Sequence, residues 1–76
     1  MMMPVQCRAA RALVDFTQQE LAEASGLGLS TIVDFERERR VVSDEAVAAI
    51  RAALEGAGAE FTNGGKPGVR LARLAP

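Results

Sequence analysis

Between Thr17 and Gly28 the chain carries a helix start, a helix stop and room between them for only about two turns. Thr17, Gln18, Gln19 and Glu20 match the capping box, in which the Thr17 hydroxyl and the Glu20 carboxylate each satisfy an amide left orphaned at a helix start. Gly26 then supplies the left-handed backbone that ends a helix tightly. A helix this short is not stable alone in water. Neighbours must hold it, so the Gly26-Leu27-Gly28 turn has to bring the next segment against it, with Leu21, Ala22 and Ala24 read as facing inward.

That next segment, Leu29 to Arg37, places Ile32 and Phe35 three apart on one face, leaving Ser30, Thr31, Asp34 and Arg37 on others. A polar surface on this third helix follows. Upstream, Val5 to Val14 is rich in Ala and Arg after the Pro4 boundary, and Ala9 and Leu13 lie four apart on one face, which predicts a first helix. Downstream, Ser43 or Asp44 caps a fourth, Asp44 and Glu45 suit its positive end, and Val47, Ile50 and Leu54 repeat at helical spacing up to Gly56 and Gly58. Beyond Gly58, Ala59 to Thr62 and Gly68 to Leu71 are short alternating runs flanking the turn formers Asn63-Gly64-Gly65-Lys66-Pro67, which predicts a hairpin. A two-stranded ribbon is barely stable alone, so it either packs on the helices or pairs with a second copy.

With 76 residues the chain has material for one core. It lacks His, Trp and Tyr and has a single cysteine, Cys7, so a disulfide framework, a Cys/His zinc site and a His-based nucleophilic set are absent by count. No catalytic residues, metal or cofactor are expected, and Cys7 reads as a small core residue of the first helix. Net charge is −1 and the isoelectric point about 5.3, low for a chain that meets phosphates. The positive charge is nevertheless localised: Arg37, Arg39 and Arg40 fall within four positions, and Lys66, Arg70 and Arg73 make the tail basic. No apolar run approaches the roughly 18 residues that span a bilayer, so no membrane partner is expected, and the lone thiol suits the reducing cytoplasm.

The ordered string Thr17-Gln-Gln-Glu-Leu-Ala22, Ala24-Ser-Gly26, Leu29-Ser-Thr-Ile32 and Phe35-Glu-Arg37 closely resembles the helix-turn-helix core of the lambda-repressor-like (Xre/Cro-type) transcriptional regulators, over about residues 7 to 55. The fold class it implies is mainly α, a four-to-five-helix DNA-binding domain over residues 1–58. Residues 59–76 form a C-terminal β-hairpin or dimerising strands. The resemblance makes Ala22 the small residue where helices 2 and 3 cross, Gly26 the turn, and Leu21, Ile32 and Phe35 core. It pairs Arg11 with Glu36 in an internal salt bridge and leaves Arg8 on the surface or facing phosphate. Two positions depart from the family pattern. The usual Glu-x-Gly after helix 3 is Glu36-Arg37-Glu38, and the usual Pro before helix 4 is Val42, which implies a more extended or helical loop.

The implied partner is double-stranded DNA, with Gln18 as a phosphate anchor at the start of helix 2. Helix 3 becomes the recognition helix, with Gly28, Leu29, Ser30, Thr31 and Asp34 at or beside the base-reading positions. Arg37, Arg39 and Arg40 lie where the following loop meets the duplex backbone. Asp34 is the awkward residue, since phosphate repels it and only cytosine N4 or a cation suits it. Arg37, three residues on, is the expected neutraliser. The function implied is a sequence-specific regulator acting as a homodimer on a pseudo-palindromic operator, with RNA polymerase or another regulator as a further partner. The alternative is a protein-binding antiactivator or antitoxin-like adaptor on the same fold.

Overall fold

The computed structural model describes residues 2–62 and 65–72. The Asn63-Gly64 part of the expected turn and the tail residue Arg73 lie outside the described residues. Four helices, α1 (Pro4–Val14), α2 (Gln18–Ser25), α3 (Leu29–Glu36) and α4 (Asp44–Gly56), precede two strands, β1 (Ala59–Thr62) and β2 (Gly68–Leu71). The fold is mainly helical with a two-stranded antiparallel hairpin, in which Ala59 faces Leu71 and Thr62 faces Gly68.

Local chemistry sets the element ends. Pro4 opens α1, where its missing N–H costs nothing. At α2 the Thr17 hydroxyl accepts from the Glu20 amide at 3.0 Å and the Glu20 carboxylate accepts from the Thr17 amide at 2.9 Å, which completes the capping box. Gly26 closes the helix at φ 73°, and the Leu27 amide reaches back to the Ala22 carbonyl at 3.0 Å. A side chain there would meet nothing within 4 Å, so backbone conformation and not space selects glycine. Ser43, not Asp44, caps α4, its hydroxyl accepting from the Ala46 amide at 3.2 Å. After α3 the chain turns through Glu38 at φ 55°, then runs to Ser43 with Val41 95% exposed and Val42 buried. The loop is thus a turn and a bend at Arg40 before an irregular run to Ser43, and Glu38 takes the left-handed conformation usual for glycine.

Leu21, Ile32, Ile50 and Leu54 are fully buried and, with Phe35, Val47, Ala59 and Phe61, form the core. Each large aliphatic contributes roughly 1.5–3 kcal/mol by leaving water. One expectation about faces is corrected. Ala24 is exposed, because Leu21 and Ala22 already fill the α2 interface. On α1 the apolar pair Ala9 and Leu13 faces outward, and the buried side is Gln6, Cys7 and Ala10. Gln6 has work there: its side-chain oxygen accepts from the Met3 amide at 2.8 Å, and its amide nitrogen donates to the carbonyls of Thr62 at 3.3 Å and Gly68 at 3.1 Å. The hairpin is thereby tied to α1, and Arg51 of α4 stacks 5.2 Å from the centre of the Phe61 ring.

Glu36, 1% exposed at the last turn of α3, joins three helices. Its carboxylate accepts from Arg11 Nε at 2.6 Å and Nη2 at 2.9 Å, from Cys7 Sγ at 3.1 Å and from Gln18 Nε2 at 3.1 Å. Arg11 also donates to the Phe16 carbonyl at 3.1 Å, and Arg8 donates to the Glu36 carbonyl, where a cation suits the negative end of α3. Loss of water pushes the Glu36 carboxyl up, but the Arg11 guanidinium, with the Cys7 and Gln18 donors, outweighs this and holds it below its usual value. Burial, then the facing carboxylate, pushes the Cys7 thiol well above its usual range. It therefore stays protonated and donates.

Two tests follow from these ends and this node. Removing Glu36 leaves Arg11 facing a desolvated void, so Glu36→Ala should cost about 3–5 kcal/mol, read as a large fall in the urea midpoint. Because the folded carboxyl titrates below the unfolded value of about 4.3, its stabilisation is complete above that pH and lost as pH falls through the lower, folded value. Wild type should show this acid-side loss, and Glu36→Gln should lack it. Glu38→Gly removes roughly 1–2 kcal/mol of left-handed strain against a smaller entropic cost in the unfolded chain. Thermal unfolding should then shift up by a few degrees, and a downward shift would show that the Glu38 side chain stabilises the loop.

Candidate nucleic-acid interface

The α2–turn–α3 unit has a pinned end and an open end. Ile32, Phe35 and Glu36 bury the C-terminal half of α3, whereas Gly28, Leu29 and Ser30 are exposed and Thr31 is half-buried. Leu29 is 42% exposed, so its side chain is available for apolar contact. The helix begins at Gly28 with no side-chain cap and no acid in its first turn, which leaves its positive end unneutralised and suited to an anion or to polar base edges.

Gln18 stands at the first position of α2, half-buried. One of its amide hydrogens is spent on Glu36 at 3.1 Å. A primary amide has two such donors, so the side chain is fixed in direction and keeps a second N–H for an outside acceptor. The buried carboxylate thus aims Gln18, a connection that local spacing does not reveal.

Arg37, Arg39 and Arg40 are all exposed beyond the C-terminal end of α3, but they are not equivalent. Arg37 and Arg39 make no side-chain hydrogen bond or ion pair among the described residues. Arg40 folds back: its Nε lies 2.8 Å from Asp34 Oδ2, and its Nη2 3.4 Å from Thr31 Oγ1. The neutraliser of Asp34 is therefore Arg40, not Arg37. The loop backbone decides this, since the left-handed residue Glu38 turns the chain so that Arg40 returns over the helix. The tail is also less basic than its composition suggests, because Arg70 pairs with Glu60 across the strands, while Lys66 is exposed.

Arg8 is on the surface as expected, with its bond to the Glu36 carbonyl an addition to that expectation, whereas the role of Gln6 was not anticipated. The signal for Arg8 was present in its spacing: Cys7, Arg8 and Arg11 fall within one turn of α1, and all three meet Glu36. The local half of the Gln6 role, accepting from the Met3 amide three residues back, had a signal in its place in the first turn after Pro4, whereas its bonds to the hairpin had none. No group of three or more His, Cys, Asp or Glu side chains able to hold a metal occurs among the described residues, and no helix among them is long and apolar enough to cross a membrane.

A comparison with curated proteins returns no match. The helix-turn-helix family profile matches residues 8–61, from the α1 arginines through α2, the turn, α3 and α4 into β1. Together with the bracing of α2 against α3 and the open leading half of α3, this match shows that the chain belongs to the Xre/lambda-repressor-like helix-turn-helix family of DNA-binding regulators.

Proposed function

We propose that the protein is a sequence-specific transcriptional regulator that binds double-stranded DNA as a homodimer on a pseudo-palindromic operator in the cytoplasm. One observation carries this reading: the leading half of α3 stands clear of the molecule's own core while its trailing half is locked by Glu36. A rod held at one end and free at the other can enter a major groove without rearrangement. Ser30 and Thr31 then offer hydroxyls to base edges, and Leu29 offers apolar contact to a thymine methyl. Gln18, Arg37 and Arg39 grip phosphates on either side.

The dimer follows from size. A single module of this kind contacts too few bases for tight and specific binding, and a two-fold pair doubles the contacts and sets half-sites about one helical turn apart. The hairpin supports it. Phe61 is buried on the helices, but β2 is half-exposed to exposed, with Leu71 38% accessible, and neither strand pairs elsewhere among the described residues. An open edge of this kind suits pairing with its own copy. Occupancy of the operator then either blocks RNA polymerase or recruits it.

Selection from random duplexes with the purified protein tests the reading, with a two-fold repeated motif as the expected product. On that motif, binding should weaken steeply with salt, and Arg37→Ala or Arg39→Ala should each reduce the slope of log affinity against log salt by about one unit. Ser30→Ala and Thr31→Ala should alter which sequences bind, whereas Gln18→Ala should weaken all sequences alike, with a melt to separate its loss at Glu36 from its loss at phosphate. Absence of any motif, with retention insensitive to salt, would favour the protein-masking adaptor instead.

A further inference from the structure

Thr31 and Asp34 lie one turn apart on α3, on the side away from Ile32 and Phe35. Arg40 arrives there from the α3–α4 loop and touches both, through Nε to Asp34 Oδ2 at 2.8 Å and through Nη2 to Thr31 Oγ1 at 3.4 Å. A guanidinium is a planar fork with five N–H donors. Nε and one hydrogen of the adjacent Nη2 form its side edge, and that edge is the one occupied. Nη1, which with Nη2 forms the end edge, has no partner among the described residues, Nη2 has two hydrogens and one acceptor, and the Arg40 side chain is 52% exposed against 23% for Asp34. A pair of parallel donors is therefore presented on the outward side of the helix.

We propose that Arg40 is a specificity-determining residue that reads a guanine, and that Asp34 and Thr31 are its positioning residues. This rests on the reading of α3 as the helix that enters the groove. Guanine alone among the bases shows two adjacent acceptors, O6 and N7, on its major-groove edge, and the end edge of an arginine matches them in parallel. Adenine sets a donor beside its N7 and mismatches the second N–H. The same pairing accounts for the acid on a surface that meets phosphates. Asp34 is not a base reader. Its charge is balanced by Arg40, and its carboxylate fixes the rotation of the fork, which a flexible side chain rooted in a loop would otherwise lack. A backbone-gripping arginine needs no such support, because phosphate oxygens accept from many directions.

The test measures affinities for the selected operator and all its single-base variants, using wild type, Arg40→Ala, Arg40→Lys and Asp34→Asn. Thermal melts confirm that each variant folds, as expected for exposed Arg40 and for a half-buried Asp34 changed to its isosteric amide. A guanine should stand at one fixed position in each half-site. Arg40→Ala should reduce discrimination there by roughly ten-fold or more and leave other positions unchanged. Arg40→Lys should lose most of the same discrimination while keeping the salt slope, since it retains charge but not the fork. Asp34→Asn should weaken the guanine preference at that position alone, by several-fold. A uniform loss with Arg40→Ala, together with a shallower salt slope, would make Arg40 a phosphate contact and overturn the proposal. Uniformly tighter binding would make the pair an inhibitory clasp and overturn it equally. If wild type selects no motif, the groove-entering role of α3 fails first, an outcome distinct from a motif that Arg40 substitutions leave intact.

Discussion

A carboxylate sealed from water sits where three helices meet, and the rest of the molecule is arranged around the need to satisfy it. Glu36 would be prohibitively costly to bury alone. It is tolerated because α1 supplies a two-pronged guanidinium and a thiol hydrogen, and α2 supplies an amide. Each donor fixes the helix that carries it. The angle between α2 and α3, which an interface of a few small aliphatic residues would leave loosely defined, is set by directional bonds with little freedom to slide. The node also divides α3 into a half that belongs to the core and a half that belongs to whatever the protein binds.

Charge in this molecule is distributed by partner rather than by region. The net value of −1 conceals three kinds of arginine. Arg11 is spent inside the fold on the Glu36 carboxylate and Arg8 at the surface on its carbonyl, Arg51 and Arg70 are matched to Glu55 and Glu60 on the surface, and Arg37 and Arg39 have no partner among the described residues. Arg40 stands between these groups, paired but still exposed. An acidic isoelectric point is therefore compatible with a locally positive face: most of the exposed acids lie elsewhere, at Asp15, Glu20, Glu23, Asp44 and Glu45, and only Glu38 and the paired Asp34 stand among the three arginines.

Features governed by neighbours in sequence were legible. The Thr17 capping box, the Gly26 stop, the Ser43 cap and the inward spacing of Ile32 and Phe35 are each decided within four residues, and each stands where the sequence puts it. Features decided by distant partners were not. On α1, Cys7 lies in the core as expected, but Gln6 lies there too, because a polar group is admitted to a core when a remote acceptor satisfies it. Likewise, a spacing of three pointed to Arg37 as the neutraliser of Asp34, whereas the chain, turning through Glu38, brings Arg40 there instead. The open leading half of α3 was readable from the residues, whereas the aiming of Gln18 by Glu36 required three dimensions.

The bonds from Gln6 to the hairpin have an entropic meaning as well. Their acceptors lie 56 and 62 residues further along the chain, against 25 to 29 for the bonds that tie α1 to Glu36, and each doubling of span adds only about 0.6 kcal/mol of closure entropy. Once the Glu36 node and the core have brought α1 to α3 and α4, the ribbon has only the short span from the end of α4 to cover, so Gln6 fixes its register on α1 at little further entropic cost.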